Sequence, residues 1–435
     1  MKIIQFLARI DGSGVTTYIR ELNKGLQKTG YDVEIVVVKT GFKDADGYSA
    51  ASTQTLDNVI EYEFGNDLTN KLNSADLVIV NSIIDRRAPT RDAWIDLLIN
   101  KVTTKKVIIV NDHKPAGFRA YYGDLLKNKD FWMSFDKICT FQYTAKVYQD
   151  IVKTIGEENA KTRYMHLLLP YEFDNNIKDN WIKPTEKLRR ITYLGRHAPF
   201  KDNHRLVRAC DNFWAHNYEL EMRGVKATIN MSITPNLKYE FDENNEVVFE
   251  TEGPRAGLRK YSKICRLITN KWRKNNGIAL DDNMVNTPRD KNIIYLFDAY
   301  KREEGLENLS HSAFGCDFFN LDSGCYGDDF EYTVFEMIEQ GSIVLLDYNA
   351  GSEIHLYNNE GKRDSHSVLE NGLGIFLKKD CSNVENVLTQ MDELMNNSEK
   401  YDNMRNKIYN AYATYCDPIM VTKKFMMDIF KNNIL

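Results

Sequence analysis

Three short runs of residues have the types and spacing needed to hold a doubly charged, flexible anion. The first is Asp11-Gly12-Ser13-Gly14-Val15-Thr16-Thr17, placed directly after an apolar start. Glycines here let the backbone turn sharply, and Gly12, Ser13, Gly14 and Val15 would aim helix-start N–H groups at a phosphate or a sugar hydroxyl. No Gly-Lys-Ser/Thr follows, so the run is not a P-loop, and it lacks the third glycine of a dinucleotide fingerprint. A plain strand-to-helix turn has the same composition. The second run is Gly195-Arg196-His197-Ala198-Pro199-Phe200-Lys201. Arg196 and Lys201 would clamp a diphosphate and stabilise the charge that grows on it as it leaves, unless they are a solvated surface pair. The third begins at Asp328 and passes Glu331, Tyr332, Thr333 and Glu336 to Gly341 and a strand. Its acids would accept hydrogen bonds from sugar hydroxyls while the helix start faces the diphosphate; an ordinary amphipathic helix would also favour acids there.

Two further groups suit an acceptor. Asp112-His113 closes an apolar run, where the pair would orient a hydroxyl or assist its deprotonation; a strand-end Asp capping the next turn is the plainer reading. From Pro254 to Lys274 stand Arg255, Arg259, Lys260, Lys263, Arg266, Lys271, Arg273 and Lys274, with no acid and with Tyr261 and Trp272 interleaved. Such a helix would follow a nucleic-acid backbone and stack on an exposed base, or it would pack through Leu258, Ile264 and Leu267 and leave its charges in water. Arg86 and Arg87, with Arg91, form a smaller cluster. Because the net charge is -5, a polyanionic partner requires a local basic surface of this kind. Asp44-Ala45-Asp46 has the form of a metal-binding carboxylate pair but lies in a polar turn before Gly47, and the eight histidines form no ligand cluster, so no metal is expected. Seven scattered cysteines without C-x-x-C spacing read as free thiols in a reducing compartment.

These groups need a scaffold that brings distant strand ends together. A chain of 435 residues exceeds what one core usually organises, and 43% hydrophobic with 27% charged residues is an ordinary globular balance. Apolar runs at Lys2–Leu7, Asp32–Val38, Leu77–Asn81, Lys106–Asn111, Lys137–Phe141 and Tyr164–Leu169 alternate with helix-like stretches at Val15–Lys28, Arg91–Lys101 and Thr144–Ile155. A second alternation starts at Arg190–Leu194, continues at Tyr218–Met222 and returns at Ile343–Leu346. The fold class expected is α/β of the GT-B type: two Rossmann-like, doubly wound domains with a cleft between them. The expected division is a first domain over 1–172, a linker over 173–188, a second domain over 189–417 with an insertion at about 236–292, and a helix over 418–435 crossing back. The apolar start is too short for a signal peptide and no run spans a bilayer, so a cytoplasmic protein with no membrane partner is expected.

On these residues the chain resembles a known family. Glu331-Tyr332-Thr333-Val334-Phe335-Glu336, then Gly341 and a strand, is similar to a segment of the T-even bacteriophage DNA α-glucosyltransferases, in which the equivalent Glu is expected to hold the nucleotide ribose. Leu7-Ala8-Arg9 with Gly12, Gly14, Val15 and Thr16 resembles that family's first turn. Asn81-Ser82, Asp112-His113 and Gly195-Arg196 with Lys201 fall in the same order, and Asp298-Ala299-Tyr300 and Phe314-Gly315 add a weaker match. The likeness touches both halves and misses mainly the insertion. It implies a retaining glycosyltransferase that uses a UDP-sugar, glucose by default, and modifies 5-hydroxymethylcytosine in double-stranded DNA. A pentose such as arabinose would need only small changes around Asp328 and Glu331, and a monomer is expected that needs no cofactor, since cationic side chains and a helix start can neutralise the phosphates. It also implies that the acceptor hydroxyl attacks on the face the diphosphate leaves, with a phosphate oxygen taking its proton. The wider E-x7-E pattern puts its first acid where this chain has Asp328, so either Asp328 or Glu331 would reach the donor sugar. A polysaccharide or glycolipid acceptor, or a noncatalytic DNA-binding role, are the competing readings.

Overall fold

The computed structural model describes residues 1–8, 14–39, 56, 58–81, 88–110, 122–141, 145–195, 205–206, 209–223, 238–241, 247–250, 294–297, 302–318 and 330–430. The first sheet comprises β1 (Lys2–Leu7), β2 (Asp32–Val38), β3 (Val59–Tyr62), β4 (Leu77–Val80), β5 (Lys106–Val110), β6 (Lys137–Thr140) and β7 (Tyr164–His166), in the order β3-β2-β1-β4-β5-β6-β7. Every pairing in it is parallel. The reason is legible in side chains such as Leu77-Val78-Ile79-Val80, buried along the whole strand because helices cover both faces.

The second sheet comprises β8 (Leu188–Leu194), β9 (Glu219–Arg223), β12 (Ile294–Phe297), β13 (Ser312–Asp317), β14 (Ile343–Asp347) and β15 (Ile375–Leu377), in the order β12-β9-β8-β13-β14-β15 and again parallel. An antiparallel hairpin of β10 (Lys238–Phe241) and β11 (Val247–Glu250) lies within the stretch read as an insertion. The helices that matter below are α1 (Gly14–Lys28), α2 (Arg302–His311), α3 (Tyr332–Glu339), α4 (Ser398–Tyr415) and α5 (Pro418–Phe430). Among the described residues, no helix is long and apolar enough to cross a membrane.

Strand order reverses between β1 and β4 in the first sheet and between β8 and β13 in the second. In doubly wound sheets ligands gather beyond the carboxyl ends of the strands at such a reversal, where the outgoing loops diverge. The ends concerned are Leu7 and Val80, and Leu194 and Asp317.

The chain crosses between the sheets at residues 167–187 and returns from α4 into α5. The outward crossing is folded: Asn175–Asp179 is a short helix, Pro184 is buried in a 3₁₀ turn, and the Trp181 indole donates to the Glu339 carbonyl at 2.7 Å. The return crossing packs α5 on α1. Gly25 of α1 permits that contact, since a Cβ there would lie 2.3 Å from both the Pro418 carbonyl oxygen and Thr422 Oγ1. The two crossings are joined directly, the Tyr171 amide donating to the Cys416 carbonyl at 2.8 Å.

Candidate functional site

α1 begins seven residues beyond the end of β1, at an exposed Gly14 and a half-buried Val15. α3 begins at Tyr332, past the end of β13. These two helix starts, one from each sheet, meet: a Cβ placed on Gly14 would lie 4.0 Å from Tyr332 Cδ2. Neither helix carries an acid in its first turn. The positive ends of two helix dipoles are therefore brought close together, which favours an anion beside them. Glu331 sits extended at the N-cap of α3 and its side chain makes no capping bond, so it does not occupy the helix start itself.

Behind the helix start lies a polar layer. Thr333 Oγ1 donates to Asp317 Oδ2 at 3.4 Å, and Asp317, 1% exposed, closes β13. Glu336, one turn into α3, accepts from Arg302 Nε at 2.9 Å and from Nη2 at 2.8 Å, both on Oε1. No donor among the described residues reaches its Oε2, so that oxygen keeps its accepting capacity. The Glu336 side chain is 12% exposed, and burial holds its carboxyl above the usual range while Arg302 pulls it partly back. Arg205 is fully buried beneath the same strand ends, with Nη1 2.6 Å from Asp347 Oδ2 and 2.7 Å from the Leu377 carbonyl. It ties the carboxyl ends of β14 and β15 together. In the first sheet Asn81, also fully buried, donates to Gln5 Oε1 at 3.2 Å and so ties the end of β4 to the middle of β1.

The far side of α3 faces the crossings. The Tyr332 ring lies 6.1 Å from that of Tyr171 and 6.0 Å from that of Phe335, and its hydroxyl is buried with no hydrogen-bond partner among the described residues. Two turns along, Glu339 accepts the Tyr171 hydroxyl on Oε2 and the Asp174 amide on Oε1, each at 2.8 Å. Burial raises its carboxyl as well.

Of the residues singled out from the sequence, Gly14, Val15, Glu331, Tyr332, Thr333 and Glu336 are described, and the two helix starts that carry them are brought together. Gly12, Ser13, Asp112, His113, Arg196, Lys201 and Asp328 lie outside the described residues, as do Arg86, Arg87, Arg255, Arg259, Lys260, Lys263 and Arg266. Gly195, just before Arg196, is described: its φ of +150°, with Tyr193 Oη 2.8 Å from where a Cβ would stand, requires glycine as the chain leaves β8. The sequence reading missed Arg302, Asp317, Arg205, Asp347 and Glu339. Asp347 carried a signal, since it follows the apolar run Ile343–Leu346; Asp317, Arg302 and Glu339 find their places only in the fold. Among the described residues, no group of three His, Cys, Asp or Glu could hold a metal ion.

Two parallel, doubly wound sheets that face each other through their switch points, with a final helix packed back on α1, define the GT-B fold. Within it, solved structures of an alpha-glucosyltransferase in complex with UDP and a 13-mer DNA containing an HMU base match with TM-scores of 0.69 and 0.71, at 17% and 18% identity over 99% of both chains. An alpha,alpha-trehalose 6-phosphate synthase from Burkholderia multivorans matches with a TM-score of 0.54 at 10% identity, over 99% of this chain and 98% of its own. Neither a protein-family model nor a curated protein matches the sequence. The resemblance to the DNA α-glucosyltransferases thus holds at the level of the fold.

Proposed function

We propose that the protein is a retaining glycosyltransferase that moves a sugar from a UDP-sugar to the hydroxymethyl group of a modified cytosine in double-stranded DNA. The observation that carries this is the meeting of the α1 and α3 starts at the switch points of two facing sheets. It is supported by the shared fold with an alpha-glucosyltransferase solved with UDP and DNA containing an HMU base. In this reading the UDP diphosphate lies between the helix starts, contacted by Gly12, Ser13, Gly14 and Val15 from one side and by Tyr332 and Thr333 from the other. Arg196 and Lys201 neutralise the charge released at the leaving phosphate. Glu336 Oε2 accepts from the ribose hydroxyls, and Asp328 or Glu331 accepts from the donor sugar.

The reaction forms a bond from the acceptor oxygen to the anomeric carbon and breaks the bond from that carbon to the β-phosphate oxygen. The acceptor proton passes to the departing phosphate, and Asp112 and His113 orient the hydroxyl. Arg86, Arg87, Arg255, Arg259, Lys260, Lys263 and Arg266 supply the local basic surface that DNA requires. The test incubates the full chain with UDP-glucose, UDP-arabinose and other UDP-sugars on hydroxymethylated and unmodified duplexes, followed by mass spectrometry of the nucleosides. A hexose or pentose mass added only to the hydroxymethylated nucleoside is the expected result. No transfer from any donor despite DNA binding would leave a noncatalytic role, and transfer to a saccharide or lipid instead would replace the acceptor.

A further inference from the structure

Helix α3 is built into the molecule at both ends, and its two ends have different neighbours. Its start faces α1 across the sheet boundary, whereas Glu339 in its last turn lies 5% exposed against the outward crossing. There one carboxylate accepts the Tyr171 hydroxyl and the Asp174 amide, while its own backbone carbonyl accepts the Trp181 indole. Tyr171 is in turn bonded to Cys416 at the return crossing. The outward crossing therefore bonds directly to this one residue and the return crossing reaches it through Tyr171, and Glu339 sits on the rod whose other end approaches Gly14. A buried carboxylate with two donors is stereochemically fixed, because any change in the angle between sheets that moves Tyr171 or Asp174 strips a bond in a site with little water to replace it.

We propose that Glu339 is a positioning residue, the anchor that sets the angle between the two sheets and transmits it along α3 to the site where the helix starts meet. The unpartnered Tyr332 hydroxyl on the same face agrees with a helix whose orientation is dictated from its far end, at the expense of one buried polar group. The location of the donor rests on the glycosyltransferase reading above; the anchoring itself does not.

The experiment places distance labels at Lys153 in the first sheet's domain and Lys362 in the second, both 75% exposed at the side chain. It compares the wild-type chain with Glu339→Ala, Glu339→Gln and Tyr171→Phe, with and without UDP. A broadened distance distribution is expected for Glu339→Ala, a smaller broadening for Tyr171→Phe, and near-native width for Glu339→Gln, whose amide oxygen can accept from the Asp174 amide while its NH2 donates to the Tyr171 hydroxyl. Turnover of Glu339→Ala should fall about tenfold, since the loss of two hydrogen bonds to a charged group at the anchor is only partly felt at the other end of α3, with UDP affinity changed less than about threefold. A native distribution with native turnover in Glu339→Ala overturns the proposal, and so does UDP affinity falling in step with turnover. Should the wild-type chain bind no UDP, the glycosyltransferase reading fails, while the unliganded distributions still decide the anchor.

Discussion

The Arg302–Glu336 pair offers the sharpest test of the electrostatics at the start of α3. Arg302→Met removes the guanidinium and keeps most of the aliphatic stem, leaving a carboxylate that is 12% exposed without its two donors. Breaking a fully buried pair costs about 3–5 kcal/mol. Arg302 itself is 36% exposed, so solvent screens part of the interaction and about 1–3 kcal/mol is the appropriate size here. The dependence on pH follows from the direction of the shift. Burial already raises the Glu336 carboxyl above 4.5, and loss of Arg302 raises it further. A carboxyl whose folded pKa exceeds its unfolded value weakens the fold while it is ionised, and this cost fades as pH falls through the folded pKa.

Urea unfolding of Arg302→Met should therefore show its full loss near pH 8 and a smaller one near pH 5. The double substitution Arg302→Met with Glu336→Gln should regain most of that stability, because no uncompensated charge remains. It should not regain donor affinity. Glu336→Gln alone is expected to weaken UDP binding about tenfold, as one charged acceptor becomes neutral. Equal destabilisation at both pH values, with no rescue in the double variant, would show that the pair acts by packing alone and would remove Glu336 from the charged layer of the site.

Two further outcomes are expected. Lys187 donates to the carbonyls of Ser310, Ser312 and Gln340 at 2.8, 3.2 and 3.4 Å, and burial lowers its ammonium to about 7 from 10.5. Between those values the unfolded chain binds a proton that the folded one does not, so stability rises with pH by up to about 1.4 kcal/mol per unit, a slope Lys187→Met should abolish in urea titrations. Gly25→Val should lower the melting temperature and loosen α5, because even a Cβ meets the Pro418 carbonyl at 2.3 Å and the helices must separate; an unchanged melting temperature would show that the contact is dispensable.

The first sheet was largely legible because its strands are continuous apolar runs: Lys2–Leu7 and Asp32–Val38 have the bounds the sequence suggested. β3, Val59–Tyr62, was not, since Val-Ile-Glu-Tyr is short and only partly buried at the sheet edge. The second sheet was read only in part. Its β13, Ser-Ala-Phe-Gly-Cys-Asp, is entirely buried, yet small residues give it little strand propensity of its own. It is a strand because the fold covers it: Met337 lies where a Gly315 side chain would be. At the site, the residue types that open α1 and α3 were visible as motifs, whereas Tyr171 and Glu339 are 168 positions apart and Arg302 and Glu336 are 34 apart. No local spacing encodes such pairs. The polar stretch after Tyr171 read as a linker for the same reason: its composition suits solvent, and only the packed Trp181 and Pro184 reveal an ordered strap.

That division has a physical consequence for how the site works. Each sheet is completed by its own helices, so nothing inside either half fixes the distance between the starts of α1 and α3. The distance is set by the crossings, through Tyr171 to Cys416, the Glu172 amide to Glu21 at 3.2 Å, and Gly25 against Pro418. A helix start carries roughly half a unit charge, and its interaction with an anion falls inversely with separation, so retreat from about 4 Å to about 8 Å halves it before water enters and screens the remainder. In the proposed reaction, the stabilisation available to a leaving diphosphate would therefore be a property of interdomain packing as much as of the residues that touch the phosphate. Substitutions at the crossings should act on turnover without touching substrate, for the reason that they change where two dipoles point.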